Sequence, residues 1–455
     1  MKNQSLIANL VILAAGRSSR LNFAKSKPFH KIGNLTIIER ILQSCQNIAN
    51  RIMIVHSPQD LRDFQSLDLT TIASRIEWVK QEIPLGTGDA LRQTLPYLEK
   101  EGSTIVISGD IPLIKRETLV DLARLPTSTI TVVTAEVKRP KGYGRIIRDK
   151  EGCISSIQEE RDLTPDLEGI KEINSGVYRF SNQFLIDNIH KIGRQNNQKE
   201  FYLTDLIGLA SRDRYKISCQ RVSDEREIKG VNTLRELEEA ERIFQKSQAR
   251  GLLDRGLYIE DVTNFNLRGE IRFGKDNYIG LGVILAGRIS LGESCVIEPY
   301  AYLRDVELGN NVIIKSNSYI EETRIADDCQ IGPFAHLRPG TDLKKGVKIG
   351  NYVETKATTM KENSKAMHLS YLGNSEIGEK TNIGGGVIIC NYDGKRKKET
   401  KIGSNCFIGG NCTLIAPLKI GHGSKTGAGS VITKEIGNRE LAIARCKQEN
   451  LEQGT

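Results

Sequence analysis

The sequence predicts an α/β domain, then a long helix, then a parallel β-helix built from hexapeptide repeats. Three observations carry that prediction. The apolar run Val11-Ile12-Leu13 ends in the small residues Ala14-Ala15-Gly16, and strand and helix patterns alternate behind it. Neither Gly nor Pro interrupts Leu234 to Arg250. From Ile325 onward an aliphatic residue recurs at every sixth position, a period that marks hexapeptide coils. Strands of a sandwich would be separated by turns at irregular intervals instead.

A chain of 455 residues is expected to form two or three domains. Its formal charge of +9 suits anionic small molecules as well as nucleic acid and decides nothing alone. Aromatic residues make up 5% of the chain with one Trp, Trp78, which leaves little material for stacking bases and argues against a nucleic-acid partner. The nine cysteines are scattered and lack CxxC spacing, so neither a disulfide framework nor a zinc site is indicated and a reducing cytoplasm is the expected compartment. Leu6 to Ala15 imitates a signal peptide behind Lys2, but Asn3, Gln4, Ser5 and Asn9 dilute it. It reads as the buried first strand of an α/β sheet. No apolar run reaches the roughly 18 residues of a membrane span.

After that strand, Gly16, Arg20, Lys25 and Lys27 form a small-residue turn followed by basic residues, a place where backbone N–H groups approach a phosphate and cations neutralise it. It is not the dinucleotide fingerprint GxGxxG, because Ser18 stands where the second Gly belongs. Ile37, Ile38, Ile41, Leu42, Cys45 and Ile48 lie at helical spacing, and Arg51 to Val55 reads as a strand. Gln81 and Leu85-Gly86-Thr87-Gly88 place a second Gly-containing turn before a helix. Thr104 to Ser108 is a strand that ends in Gly109-Asp110. A carboxylate at the end of a buried strand sits where open α/β sheets bind ligands, so Asp110 is a candidate metal ligand, although a turn or cap Asp has the same look.

Thr233 and Glu236 form a capping box at the start of the long helix, and Gly251 is the expected stop. Seventeen helical residues would span about 25 Å, enough to hold two domains apart. The stripe Leu234, Leu237 and Phe244 also allows the helix to fold back onto the first domain. In the repeat, Ile325, Ile331, Leu337, Leu343 and Ile349 keep the hexad register. It returns at Leu372 with Ile377, Ile383 and Ile389, and again from Ile402 through Ile408, Leu414, Ile420, Thr426 and Ile432. Three hexads, roughly 18 residues, would close a triangular coil whose aliphatic residues point inward. The Gly that follows many of them (Gly332, Gly350, Gly378, Gly384, Gly403, Gly409, Gly421, Gly427) is expected to supply backbone angles that other residues resist at the corners.

Breaks in a repeat are where function is inserted. The first break, Thr355 to Tyr371, holds Lys356, His368 and Tyr371. The second is Asn391-Tyr392-Asp393-Gly394 with the basic run Lys395 to Lys398, preceded by Asn382 and Gly384-Gly385-Gly386. His is the usual proton acceptor near neutral pH, while a lone His in a loop is more often simply exposed and a basic run is usually a solvated loop.

LAAGRSSRL at 13–21, Gln81 with LGTGDA at 85–90, SGD at 108–110, GYGRI at 142–146, EINSGVY at 172–178 and GVN at 230–232 resemble the sugar-1-phosphate nucleotidyltransferases. With the hexapeptide region behind them, nearly all of the chain resembles the bacterial bifunctional family that joins an N-acetylglucosamine-1-phosphate uridylyltransferase to a glucosamine-1-phosphate acetyltransferase. The resemblance implies a Rossmann-like nucleotidyltransferase domain over residues 1–232, a helical linker over 233–253 and a left-handed β-helix acetyltransferase domain over 254–455. It implies a homotrimer with acetyl sites between neighbouring helices.

The resemblance also implies roles at matching positions. Leu13, Ala14, Ala15 and Gly16 would line the nucleotide, with Lys27 at its phosphates and Gln81, Gly86 and Thr87 at the uracil. Gly142, Glu159 and Asn174 would hold the sugar, and Ser108 and Gly109 would contribute backbone. Asp110 and Asn232 would bind Mg²⁺, whose octahedron phosphates and water complete. UTP and acetyl-CoA are the implied co-substrates. His368 would be the general base of acetyl transfer. Arg338, Lys356, Tyr371 and Asn382 would hold the sugar phosphate, and Gly385, Asn391, Tyr392, Gly410, Ala428 and Arg445 would line acetyl-CoA. The basic residues near 395–398 would suit its phosphates. The chain departs from the family at Ser108, where Tyr is common, at Gly385 and Gly410, where Ala and Ser stand, and at Glu399, where Lys is often seen. Two other readings compete: a single-activity nucleotidyltransferase with a hexapeptide assembly domain, and a non-catalytic subunit of the translation-factor exchange type. His368 with Asn382 and the NYDG insertion argue against the first, and the Lys27, Asp110 and Asn232 set against the second.

Overall fold

The structure, a computed structural model, describes residues 6–16, 25–70, 72–126 and 128–450. Ser18 and Arg20 of the first turn lie outside them. The chain forms two compact units, Met1–Phe244 and Gln245–Thr455, which divide within the helix Leu234–Asp254. Among the described residues no helix is long and apolar enough to cross a membrane.

The first unit is built on a nine-stranded sheet. Its central strand, Ile7–Leu13, pairs in parallel with Ala49–His56 on one side and Ser103–Ser108 on the other. Leu10, Val11 and Ile12 are all fully buried. Successive side chains of a strand point to opposite faces, so such a continuous apolar run needs cover on both. That cover is present. Leu10 and Ile12 pack with Ile37, Ile38, Ile41 and Leu42 of the helix Ile37–Ser44. Val11 packs on the other face with Ala90, Leu91, Leu206 and Ile207. The result is the Rossmann-like sandwich, with the strand ends Leu13 and Ser108 side by side.

The capping box of the long helix is formed: Thr233 N–H donates to Glu236 Oε2 at 2.8 Å and Glu236 N–H to Thr233 Oγ1 at 3.2 Å. Leu237, Ala240 and Phe244 pack against the core of the first unit, while Leu234 is exposed. The helix does not stop at Gly251 but runs on to Asp254. Its end is a Schellman motif at Gly256 (φ 94°), with Gly256 N–H bonded to Leu253 O and Leu257 N–H to Leu252 O. Gly251 lacks the following chain geometry that closes those two bonds, so the stop belongs to the second glycine.

The second unit is a parallel β-helix of the hexapeptide type, consistent with the left-handed coil. Its interior is three aliphatic columns. Ile279, Ile297, Ile314, Ile331 and Ile349 form one by direct pairing along successive coils. Leu285, Leu303, Ile320 and Leu337 form the second, and Leu291, Leu308, Ile325, Leu343, Met360 and Ile377 the third. The sixth-residue series from Ile325 visits the three columns in turn. Each fully buried Ile or Leu contributes about 1.5–3 kcal/mol, so the stack is held by the sum of its neighbours. Coils begin well before Ile325, at Tyr258–Ile259. The pattern is blurred there because Leu303 to Leu308 and Ile320 to Ile325 each fall one residue short of a hexad, and the strand register shifts between Ala286 and Ile289.

The expectation for the glycines is corrected. Of the eight that follow inward residues of the hexads, only Gly332 has positive φ. Left-handed corners are carried instead mostly by other residues, among them Tyr300, Asn317, Phe334, Tyr352 and Leu369 along one edge. The glycines are needed for close approach of coils. A Cβ on Gly350 would lie 1.8 Å from Met367 O, on Gly378 2.4 Å from Gly403 C, and on Gly384 and Gly409 2.6 Å from backbone of the next coil.

Candidate functional site

In the first unit a cleft of about 540 Å³ opens at the carboxyl ends of the Ile7–Leu13 and Ser103–Ser108 strands. Open α/β sheets bind ligands at this end. Leu13, Ala14, Ala15, Gly16, Lys27, Gln81, Gly86, Thr87, Ser108, Gly109, Asp110 and Asn232 all line it. A smaller cavity of about 200 Å³ shares Leu13, Thr87, Ser108, Asp110 and Asn232 with it and adds Gly142, Glu159 and Asn174. Every residue that the resemblance assigns to nucleotide, sugar or metal in this unit thus borders one of two cavities with a common wall.

Local chemistry explains the placement. Gly109 N–H bonds Leu13 O at 2.9 Å, and a Cβ on Gly109 would lie 2.6 Å from that same oxygen. Only Gly lets the two strand ends close up there. Gly86 has φ 116° and faces Phe201 O at 2.5 Å from where its Cβ would be, so it too admits no side chain. Val231 N–H bonds Asp110 O at 2.8 Å and brings Asn232 beside the carboxylate.

The oxygens of Asp110 and Asn232 converge on one positive point. Lys27 Nζ lies 3.0 Å from Asp110 Oδ2 and 2.8 Å from Asn232 Oδ1. Burial opposes the Asp110 charge, but Lys27 and hydrogen bonds from Ser108, Lys27 and Asn232 outweigh it and hold the carboxyl below its usual range. A carboxylate and an amide oxygen aimed at a shared cation position fit a hard, oxygen-seeking dication. Among the described residues no three His, Cys, Asp or Glu gather as a metal cluster. In the smaller cavity, burial pushes the Glu159 carboxyl up, with Asp205 and Asp162 adding to it, while Thr204 Oγ1 donates to Glu159 Oε1 at 2.9 Å.

Residues not singled out also border these cavities. Arg161, Arg194 and Lys199 rim the larger one. The buried Tyr178 hydroxyl accepts from Asn174 Nδ2 at 2.6 Å. Tyr178 stands four residues past Asn174 on one strand, so the shared face was readable, but the bulge between them hides the pairing.

In the second unit the proposed acetyl residues follow the coils. His368 ends the strand Lys365–His368, is exposed, and places Nδ1 3.2 Å from Asn351 Oδ1. In the tautomer that donates Nδ1–H to Asn351, Nε2 carries the lone pair and is free to act as a base. Asn351 has no motif signal, because its partner lies a full coil away. A Cβ on Gly385 would lie 3.3 Å from His368 Cβ, one on Gly410 3.2 Å from Gly385 O, and Gly429 N–H bonds Gly410 O at 2.9 Å. His368, Gly385 and Gly410, with Ala428 beside Gly429, therefore stand on successive coils along one edge. Asn391 Nδ2 donates to Asn374 Oδ1 at 2.7 Å, Tyr392 donates its hydroxyl to Gly394 O at 2.7 Å, and Arg445 is exposed beyond the last strand. The Tyr371 hydroxyl lies over Gly373, and Asn382 is half-buried on the strand Asn382–Ile383.

Cations gather at Lys356. The Lys397 side chain beside it and then Arg338 lower its pKa, and Arg338 is held by Glu354 at 2.7 Å. Lys397, read in the sequence as part of a run facing the phosphates of acetyl-CoA, belongs to this cluster. The insertion folds back through a Tyr392–Lys397 bridge, a contact that a linear basic run does not reveal.

Comparison with known proteins agrees with both halves. A family model described as MobA-like NTP transferase domain matches residues 10–167, and one described as Bacterial transferase hexapeptide (six repeats) matches residues 399–434. Curated relatives named Bifunctional protein GlmU align along almost the whole chain. The protein of Buchnera aphidicola subsp. Baizongia pistaciae is 41% identical, covering 98% of this chain and 99% of its own length. That of Ruthia magnifica is 39% identical over 97% of both chains, and that of Idiomarina loihiensis 36% identical over 97% of this chain and 96% of its own. An oxygen-lined cleft at the end of a Rossmann-like sheet, a hexapeptide β-helix later in the chain and full-length similarity at this level have one joint explanation: the chain belongs to the GlmU family of bifunctional proteins.

Proposed function

We propose that the chain makes UDP-N-acetylglucosamine in two reactions, acetylating glucosamine-1-phosphate with acetyl-CoA and then transferring UMP from UTP to the N-acetylated sugar phosphate, with release of pyrophosphate. The observation that carries this reading is the presence, on separate units of one family member, of two charged constellations: the oxygens of Asp110 and Asn232 around a cation position with Lys27 beside them, and the cations Arg338, Lys356 and Lys397.

In uridylyl transfer an oxygen of the sugar phosphate attacks the α-phosphorus of UTP, and the bond to the pyrophosphate oxygen breaks. The protein's part is alignment and charge neutralisation. Leu13 to Gly16 form the backbone wall against which the nucleotide lies, Lys27 offsets phosphate charge, and Asn174 and Glu159 hold the sugar. Asp110 and Asn232 would hold a divalent metal, taken here as Mg²⁺, which when bound withdraws charge from the phosphates.

In acetyl transfer Nε2 of His368 takes a proton from the sugar's 2-amine. The amine nitrogen then bonds to the acetyl carbon, the thioester C–S bond breaks, and the departing thiolate takes up the proton to leave as coenzyme A. Arg338, Lys356 and Lys397 hold the sugar's phosphate, with Tyr371 and Asn382 beside it. Gly385, Asn391, Tyr392, Gly410, Ala428 and Arg445 line acetyl-CoA. We place the enzyme in the cytoplasm, where both co-substrates are made, as a homotrimer whose acetyl sites lie between neighbouring β-helices.

A coupled assay tests the reading. Purified protein given glucosamine-1-phosphate, acetyl-CoA, UTP and Mg²⁺ is expected to release free thiol and pyrophosphate, both from the one polypeptide. Pyrophosphate released only when ready-made N-acetylglucosamine-1-phosphate is supplied would reduce the protein to a single-activity nucleotidyltransferase.

A further inference from the structure

Ser108 is the last residue of its strand, two before Asp110. Its hydroxyl donates to Asp110 Oδ1 at 2.5 Å, whereas Asp110 Oδ2 is the oxygen 3.0 Å from Lys27 Nζ. The two carboxylate oxygens are therefore unequal. Oδ1 is engaged by a short, charge-assisted hydrogen bond, and Oδ2 is aimed with Asn232 Oδ1 at the shared cation position. The surroundings keep the hydroxyl in place. Gly109 N–H bonds Leu13 O at 2.9 Å and a side chain there would collide with that oxygen, so the backbone that carries the hydroxyl is fixed.

We propose that Ser108 is a positioning residue for metal binding: its hydroxyl pins the rotation of the Asp110 carboxylate so that a single oxygen faces the divalent cation. The proposal rests on the reading of Asp110 as a metal ligand. A free carboxylate turns about its Cβ–Cγ bond and spends time with neither oxygen correctly placed. A donor on one oxygen removes that freedom before the metal arrives. The competing role for the hydroxyl is a direct bond to the sugar, since Ser108 also lines the smaller cavity.

Mn²⁺ is the probe, with binding to the full-length protein saturated with UTP followed by loss of the free-ion paramagnetic resonance signal. Ser108→Ala is expected to raise the Mn²⁺ dissociation constant about 10- to 100-fold, the usual cost of removing an outer partner of a metal ligand. Ser108→Thr keeps the hydroxyl and is expected to bind close to wild type. Should Ser108→Ala fail to fold by circular dichroism, Ser108→Cys takes its place with the same expected weakening, because a thiol is a poor donor. Wild-type Mn²⁺ affinity in Ser108→Ala, a Thr variant as weak as the Ala variant, or a raised KM for the sugar phosphate at unchanged metal affinity would each overturn the proposal. Asp110→Asn separates the two layers. Weak binding there with normal binding in Ser108→Ala sinks only the role of Ser108, while normal binding in Asp110→Asn sinks the ligand assignment itself.

Discussion

Lys27 Nζ sits between the Asp110 carboxylate and the Asn232 amide oxygen, at 3.0 and 2.8 Å, although these residues lie far apart in the chain. The arrangement means that an approaching dication and the Lys27 ammonium compete for one pair of oxygens. In the proposed metal site the ion would displace the ammonium, whose charge would then be available to the phosphates.

Asp110→Ala is therefore expected to abolish uridylyl transfer, because the phosphates lose the ion that the carboxylate holds. Acetyl transfer should persist in the variant and in the wild-type protein after EDTA. The two rates measured separately check this. An acetyl reaction that stops on chelation would contradict it.

His368→Ala is expected to slow acetyl transfer by about 10²–10⁴, the usual worth of a positioned general base. Uridylyl transfer from ready-made N-acetylglucosamine-1-phosphate should survive. Asn351→Ala removes the partner of Nδ1 and should cost less, since the ring keeps its base and loses only its orientation. A folded His368→Ala protein lacking both activities would count against independent sites.

Gly410→Ser restores the hydroxyl common in the family. Gly410 is not in the left-handed region, so its backbone accepts a side chain, and the new Cβ would meet Gly385 O at 3.2 Å, which requires a shift of a few tenths of an ångström. One hydrogen bond to acetyl-CoA is worth about 0.5–1.5 kcal/mol, so KM should fall by no more than roughly tenfold. A contact remote from the thioester binds ground and transition states alike, and kcat should stay near its present value. A stable variant whose KM does not move would show that backbone makes this contact.

Gly350→Ala tests the role of the stacking glycines. Its Cβ would lie 1.8 Å from Met367 O, so two coils must be forced apart, at a cost of about 1–3 kcal/mol or more. Gly251→Ala, in a helix with nothing within 4 Å of the added carbon, should instead stabilise by about 0.5–1 kcal/mol. Thermal melting should move in opposite directions for the two variants. A Gly350→Ala protein that melts at the wild-type temperature would mean that the coils can give.

The periodic features were legible in the order of residues. Period six forces three inward columns that are aliphatic almost throughout, with Thr355 and Thr426 among the buried exceptions, because the stack has no other core. The continuous apolar run before Gly16 forces a strand buried on both faces, and the Thr233–Glu236 spacing forces a helix start. The site residues carried by contiguous motifs, such as Leu13 to Gly16 and Ser108 to Asp110, were legible for the same reason: neighbours in the chain remain neighbours in space. Tertiary structure alone decided what depends on contact between distant segments. The glycines of the hexads are placed by the approach of the next coil, not by their own φ. The helix ends at Gly256 because the chain after it turns to close two hydrogen bonds. Lys397 joins Lys356 and Arg338 because an insertion folds back. Asn351 meets His368, and Lys27 meets Asp110 and Asn232, across separations that no local pattern records. Hydrogen bonds and like-charge crowding act over a few ångströms of space, and sequence spacing is blind to them.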